Sequence, residues 1–482
     1  MSFAREKLEM TEPPGRSISR HAYHAARWTL DILRPSFFTK SPRKELHATA
    51  WLDGLRGFAA FLVYWQHHQG WARVGNTASD AMETAFGYNG QYYFAQLPGI
   101  RLLFTGGHIA VSCFFIISGH VLSAKPLTLI HAGEFVKLED NLAGAMFRRW
   151  PRLFLPALFT TLLYATSWHV FGFWTAFPEH QKTYVEEVIE WYKQFKGFSW
   201  VFRTDEKLWL RYNFHLWSIA VEMRGSVIIF TALLAFSRFK RNTRLLCEVV
   251  LTFYFLFIVD GMLYAMFCGG MLLCDLDNLA RKDDLPSFFF NFKPYKKSIF
   301  WTLFFSGIYL GGVPSIDFHT SISLLEESPG WKWLAKLKPT SVSESDYKWF
   351  YLFWGAIFLL SSIPRIPILK SFFETRFNQY LGRLSFSLYL IHGPVLWTLG
   401  DRLYLAAGWA REVNVDPVRD WIGIFPLSKA GPLGLEFGFW VPHLIILPFT
   451  LWVAEVSTRL FDRPSNQFAR WTYSKFLAQH YK

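Results

Sequence analysis

The sequence predicts an all-α integral membrane protein, a bundle of about ten transmembrane helices, and three observations lead there. Of 482 residues, 51% are hydrophobic and only 18% charged, against about 25% charged in soluble chains. The 50 Phe and 22 Trp exceed what a soluble core needs and suit lipid-facing helices with aromatic belts at the interfaces. Ten apolar segments approach the roughly 20 residues that a helical span requires. They lie near 51–70, 104–124, 150–174, 213–236, 245–260, 262–274, 298–313, 347–363, 380–400 and 437–460. Between the fifth and sixth, Asp260 and Gly261 read either as a tight turn or as an interruption of one long helix.

Charge in the connections orients the bundle. The run 237–244 holds four basic residues and no acid, whereas 71–103, 175–212, 314–346 and 401–436 are balanced. With the N-terminus cytoplasmic, about 30 Lys/Arg fall inside and about 15 outside, in line with the positive-inside rule. An even number of spans then leaves both termini cytoplasmic, and the endoplasmic reticulum or plasma membrane is the expected location. The chain divides into a basic tail over 1–50, a transmembrane domain over 51–465 and a cytoplasmic tail over 466–482. The first tail has no pattern of a cleavable signal peptide. Its stretch His21–Phe38 mixes aromatic and basic residues and reads either as a helix lying on the membrane or as a loose tail. The formal charge of +13 is spread in short runs between apolar segments, which argues against a nucleic-acid partner. The partner is membrane lipid. Cys113, Cys247, Cys268 and Cys274 lack zinc-ligand spacing, so no metal site and no disulfide scaffold is expected.

Ionisable groups inside membrane segments are costly, and each needs a reason. In the first segment Arg56 and His67 are eleven residues apart. That is about three turns and about 16 Å on one helix face. Such a helix can hold an anionic group at one end and a proton acceptor higher up. An Arg snorkelling to the interface and a His in the headgroup layer fit the spacing too. Asp53 precedes Arg56, and His68 follows His67. In the second segment Ser118 and Gly119 allow close approach of a helix or a ligand. The third opens with Arg148, Arg149, Pro151 and Arg152. Positive-inside topology accounts for these arginines, yet Arg149 and Arg152 also share a face and paired guanidinium groups suit phosphate oxygens. The fourth carries Trp217, Ser218 and Glu222, whose buried carboxylate must meet a cation or a histidine, structurally or catalytically. The ninth places His392 mid-helix before Gly393-Pro394, a break where freed backbone groups can line a cavity. Phe461-Asp462-Arg463-Pro464 reads as an interfacial stop.

Six blocks in this order, LDGLRGFAAFLVYWQHH, FFIISGHVLS, RRWPRLFLP, LWSIAVE, LSFSLYLIHGP and FDRP, resemble the acyltransferase-3 family of membrane acyltransferases, in a fungal-type variant. They span about 51–465. The resemblance implies a bundle of about ten helices that moves an acyl group, usually acetyl, from an acyl-coenzyme A co-substrate, without a metal. The acceptor is a hydroxyl of a small molecule, such as a secondary metabolite, or of a carbohydrate or glycan. It also implies that Arg56 and His67 form the family's arginine–histidine pair, that Arg148, Arg149 and Arg152 hold the donor's phosphates, and that Trp217, Ser218, Glu222 and His392 match its later motifs. His120 departs from the Phe or Tyr found after the Ser-Gly pair in many members, and the His67-His68 doublet leaves two candidate bases, of which spacing favours His67.

On that resemblance His67, neutral at working pH, takes the acceptor's proton as the hydroxyl attacks the thioester, with Glu222 or Asp53 orienting a partner or pairing with an arginine. The competing expectation is a transporter or flippase of a small metabolite with no catalytic step, for which intramembrane Arg, His and Glu would serve equally.

Overall fold

The computed structural model describes residues 27–36, 45–73, 81–202, 209–316, 321–410 and 417–477. All regular elements among them are helical. The principal helices are α1 (Ala50–Arg73), α2 (Gly107–Ala132), α3 (Phe135–Phe171), α4 (Tyr184–Ser199), α5 (Trp217–Phe236), α6 (Arg241–Phe253), α7 (Met262–Arg281), α8 (Lys296–Gly311), α9 (Lys348–Ser362), α10 (Arg376–Val395), α11 (His443–Ser457) and α12 (Arg463–Phe476). Every one of the ten apolar segments forms a helix. Asp260 and Gly261 form a turn between α6 and α7, with the Gly261 N–H donating back to Phe255 O at 3.1 Å.

Five stretches are long and apolar enough to cross a membrane by length and composition: Gly107–Ala132, Phe135–Phe171, Arg211–Phe236, Met262–Arg281 and Phe437–Phe476. A sixth, Lys348–Arg365 with Pro367–Phe373, is bent by 99°. α1 falls outside that set for a chemical reason. At 24 residues it reaches about 36 Å at 1.5 Å per residue, but it carries Asp53, Arg56, Gln66, His67, His68, Gln69 and Arg73. Gln66, His68, Gln69 and Arg73 are buried against protein. Its polarity serves the interior of the bundle.

Glycines set the closest helix contacts. A Cβ on Gly119 of α2 would lie 2.0 Å from Phe267 O, and one on Gly270 of α7 would lie 2.1 Å from Ile116 O. α1 meets α10 in the same way: a Cβ on Gly57 would lie 2.2 Å from Gly382 N. Where lipid removes the hydrophobic drive between helices, such close backbone approach is what packing rests on. Buried ion pairs clamp the rim. His131 Nε2 meets Asp275 Oδ1 at 2.7 Å and Arg244 Nε donates to Asp275 Oδ2 at 2.8 Å. His120 meets Asp277 at 3.4 Å, a structural use for that unusual residue.

The helix continues through both the expected break at Gly393-Pro394 and the expected stop at 461–464. α10 runs through Gly393-Pro394 and widens into a π turn at Leu396–Gly400. Proline has no N–H to give the carbonyl four residues back, and Asn213 Nδ2 donates to that Leu390 carbonyl at 2.8 Å instead. At Phe461-Asp462-Arg463-Pro464 the helix passes through a π turn, Thr458–Asp462, and goes on as α12. Of the stretch His21–Phe38, residues 21–26 and 37–38 lie outside the described residues. A short helix over 27–33 packs against the chain near α11, with Trp452 Nε1 donating to Leu33 O at 2.8 Å. The connection 175–212 contains α4, whose Thr183 cap accepts from Glu186 N. Burial pushes the Glu187 carboxyl up, but hydrogen bonds from Tyr212, Gln181 N, His169 and Trp168 outweigh it and hold it below the usual range.

Gly119→Leu is expected to overpack the α2–α7 contact and cost about 1–3 kcal/mol, lowering the thermal midpoint in detergent. Val170→Leu, at an exposed position of α3, should leave the midpoint unchanged in the same assay.

Candidate functional site

The site is built where α1, α2, α3, α5 and α10 converge. Arg56 is fixed beside the Gly57–Gly382 contact, because Nε donates to Ser385 Oγ at 3.1 Å and Nη2 to Gly382 O at 3.3 Å. One turn earlier Asp53 pairs with it at 3.1 Å and with His47 at 3.2 Å. Arg56 is therefore locked to α10 rather than extended to an interface.

Arg149 of α3 reaches across to α5. It forms an ion pair with Glu222, and its Nε donates to Ser226 Oγ at 2.7 Å. Ser118 of α2 donates to the same Glu222 Oε1 at 2.5 Å. Glu222 thus has the partner its burial demanded, and Ser118 fixes it. Arg152 lines the same cavity as the Asp462 carboxylate. Arg148 lies over the Tyr473 ring at 5.1 Å.

Two cavities meet at these arginines. One, of about 230 Å³, is lined by Arg56, Ser118, Arg149, Arg152, Ser218, Glu222, Arg383, Ser385, Tyr389 and Asp462 among others. The other, of about 500 Å³, is lined by Arg148, Arg149, Arg152, Asn466 and Arg470 with Leu122, Ala145, Phe230 and Ala469. They share Leu122, Arg149, Arg152 and Asn466, so the two lie side by side with the two arginines between them. The larger falls within the ~300–1,000 Å³ of small-molecule sites. Along α10 the smaller cavity climbs from Gly382 through Ser385 to Tyr389, about two turns. There Ser218 Oγ and Tyr389 OH meet at 2.7 Å and Tyr389 OH donates to His215 O.

One turn beyond that roof stands a cluster of imidazoles. The His67 ring lies 3.8 Å from His215 and 5.2 Å from His392, and the latter two are 4.7 Å apart. His392 Nδ1 sits 2.8 Å from Tyr389 O. A carbonyl can only accept, so Nδ1 carries the proton and Nε2 keeps the lone pair. His215 and His392 are buried, whereas His67 is half-buried. Neutral imidazoles here can pass a proton. Ligand nitrogens from all three lie within 4.8 Å of one another, so the same set could also hold a metal ion in a three-histidine site.

The histidine doublet separates cleanly. Neighbours on a helix point about 100° apart, and His68 faces α11 instead. Its Nδ1 meets Tyr404 OH at 2.8 Å, Tyr404 OH meets His443 Nε2 at 2.9 Å, and His443 Nδ1 meets Tyr64 OH at 3.0 Å. This buried chain ties α1 to α11. Trp217 packs against Phe115 and Trp349, with centroids 6.3 and 5.8 Å away.

The structure therefore gathers Arg56, Arg149, Arg152, Ser118, Ser218 and Glu222 around one cavity and puts His67 and His392 together beyond it. Arg148 lies at the outer cavity, Asp53 behind Arg56, and His68 and Trp217 elsewhere. Sequence reasoning missed His215, Asn213, Tyr389, Asn466 and Arg470. His215 had a signal, since it precedes Ser218 by three residues and so shares its face. Asn466 and Arg470 had none, because a stop was read just before them.

Comparison with known proteins bears on what such a site does. A family model described as an acyltransferase domain matches residues 49–454. O-acetyltransferase PaAT-1 of Phomopsis amygdali is 29% identical, over 99% of this chain and 93% of that protein. Acyltransferase clz18 of Cochliobolus lunatus is 23% identical, and acyltransferase R4 of Phoma sp. 21%, each over 87% of this chain and 94% of the relative. No solved structure matches the chain. The chain, a multi-pass integral membrane O-acyltransferase, belongs to the acyltransferase-3 family.

Proposed function

We propose that the protein transfers an acyl group, acetyl by family habit, from acyl-coenzyme A to a hydroxyl of a hydroxylated small molecule such as a secondary metabolite. The observation that carries this reading is the pair of adjoining arginine-lined cavities, the inner of which reaches Tyr389, one helical turn before His392, whose ring lies 5.2 Å from that of His67. The arginine end faces the cytosol, where coenzyme A thioesters are available. Phosphates rest against Arg152 and Arg148, with Arg149 held in place by Glu222. The pantetheine arm passes Arg56 and rises along α10 to the Ser218–Tyr389 roof.

In the reaction the acceptor hydroxyl lies beside His67. The imidazole takes its proton as the oxygen attacks the thioester carbonyl. The tetrahedral intermediate collapses, the carbon–sulfur bond breaks, and the protonated His67 returns a proton to the departing thiolate. The products are an ester and free coenzyme A. His392 and His215 stack on His67 and fix its orientation. The printed name of the Phomopsis relative, an O-acetyltransferase, supports acetyl and a hydroxyl acceptor. A transporter would need no thiol-binding passage leading to a histidine.

The test is release of free thiol, together with labelled product, from acetyl-coenzyme A and a hydroxylated acceptor in purified membranes. His67→Ala should lower transfer by about 10²–10⁴-fold, the usual worth of a positioned base. His68→Ala should retain transfer per folded molecule while losing about 1–3 kcal/mol of stability through an unmet buried hydrogen bond. Equal activity in His67→Ala and wild type at matched expression would sink the assignment. Treatment with a strong chelator should leave the rate unchanged. A rate that falls with chelation and recovers on adding a divalent metal would make the three imidazoles ligands instead of a base.

A further inference from the structure

We infer that the outer cavity between α3 and α12 is a subsite for the 3′-phosphoadenosine end of coenzyme A, and that Arg470 of α12 is the residue that reads its 3′-phosphate. The inference rests on the coenzyme A reading above and extends it to a part of the chain that sequence analysis had set aside as a tail.

It begins with how α12 is built. Its large apolar side chains Phe468 and Trp471 are exposed. The opposite stripe, Asn466, Ala469, Arg470 and Tyr473, is spaced three and four residues apart and faces one neighbour. That neighbour is the start of α3. Tyr473 packs at a tilt against Phe147, with ring centroids 5.4 Å apart, and lies under the Arg148 guanidinium. Small residues allow the approach: Ala469 is buried, and a Cβ on Gly144 would lie 3.1 Å from the Tyr473 ring. α12 therefore forms a wall of the cavity, set at a defined distance from the arginines of α3.

The charge in this cavity calls for a polyanion. Four guanidinium groups line it, those of Arg148, Arg149, Arg152 and Arg470, and no carboxylate does. Glu222 pairs with Arg149, and the nearest carboxylate to Arg152, that of Asp462, lies in the adjoining inner cavity, so Arg148 and Arg470 have no acidic counterpart in this lining. Among the described residues Arg152 and Arg470 make no ion pair or hydrogen bond within the protein. Guanidinium groups crowded together repel one another unless an anion intervenes, and phosphate oxygens accept from them in pairs.

Position then divides the ligand. The inner cavity rises to Tyr389, one turn short of the histidine cluster, and takes the pantetheine arm. Arg152 stands where the two cavities adjoin, beside the Arg149 that Glu222 holds, so it takes the diphosphate. What lies beyond the diphosphate in coenzyme A is a ribose with a 3′-phosphate and an adenine. The outer cavity of about 500 Å³ offers that end two further arginines, Arg148 and Arg470, from opposite walls.

The experiment compares acetyl-coenzyme A with its dephospho analogue, which lacks only the 3′-phosphate, on the full-length protein in detergent. Wild type should show a KM about tenfold or more lower for the phosphorylated donor, in keeping with a charge-assisted contact. Arg470→Ala should raise KM for acetyl-coenzyme A by a similar factor, leave kcat unchanged, and leave KM for the dephospho donor unchanged. Equal KM values for both donors in wild type would overturn the subsite without any variant, as would an equal loss on both donors in Arg470→Ala. Binding of adenosine 3′,5′-bisphosphate against adenosine 5′-phosphate is read by calorimetry and needs no turnover. Tighter binding of the bisphosphate, abolished in Arg470→Ala, keeps the subsite even where no acyl transfer occurs, in which case the functional reading fails alone. Equal binding of both nucleotides overturns the subsite whatever the enzyme's activity.

Discussion

The ion pair between Arg149 and Glu222 joins α3 to α5, and the hydrogen bond from Ser118 adds α2 to the same carboxylate. A lone carboxylate or guanidinium in this interior would carry a desolvation cost of several kcal/mol, and breaking one partner from such a pair costs about 3–5 kcal/mol. The three helices are held at the separation that lets these groups meet, and the cavity is the space left between them. Everything the site needs follows from that spacing. Arg152, on the turn after Arg149, opens onto the cavity, and Ser218, on the turn before Glu222, reaches its roof.

On the other side the constraint is backbone contact rather than charge. Gly57 and Gly382 bring α1 against α10, which puts Arg56 within reach of Ser385 and, three turns further along, His67 beside His392. The histidine cluster thus depends on a contact with no side chain of its own. The helical turn Arg211–Leu216 that leads into α5 enters from the third direction through Asn213 and His215. Asn213 occupies the carbonyl that Pro394 leaves without a donor, so a proline in a membrane helix becomes the point where the next element is anchored. One consequence is that the polar groups fall in two sets, arginines around the cavities and imidazoles beyond them, with Tyr389 between.

Much of this was legible because it was local. Arg56 and His67 share a face by helical arithmetic, and the buried Glu222 announced a partner. The partner's identity was not legible, since Arg149 lies 73 residues from Glu222 and only packing brings them together. His215 and Tyr389 passed unnoticed because a histidine and a tyrosine in apolar runs look like ordinary core residues until three helices meet. The role of Asp462 and its neighbours was misread for a different reason: a charged Asp-Arg-Pro sequence ends many helices, but here a π turn absorbs the proline and the helix continues. The His67–His68 doublet could be divided only once Tyr404, in the short helix Asp401–Ala406, and His443 of α11 were seen to hold one of them.

The central claim is that one passage joins the arginines to His67. It is tested most directly by an experimental structure of the full chain in lipid nanodiscs with coenzyme A bound. The account predicts phosphates against Arg148, Arg152 and Arg470 and the thiol at the Tyr389 end of the passage, directed towards His67. A ligand bound with its thiol pointing away from Tyr389, or phosphates seated anywhere other than between α3 and α12, would contradict it.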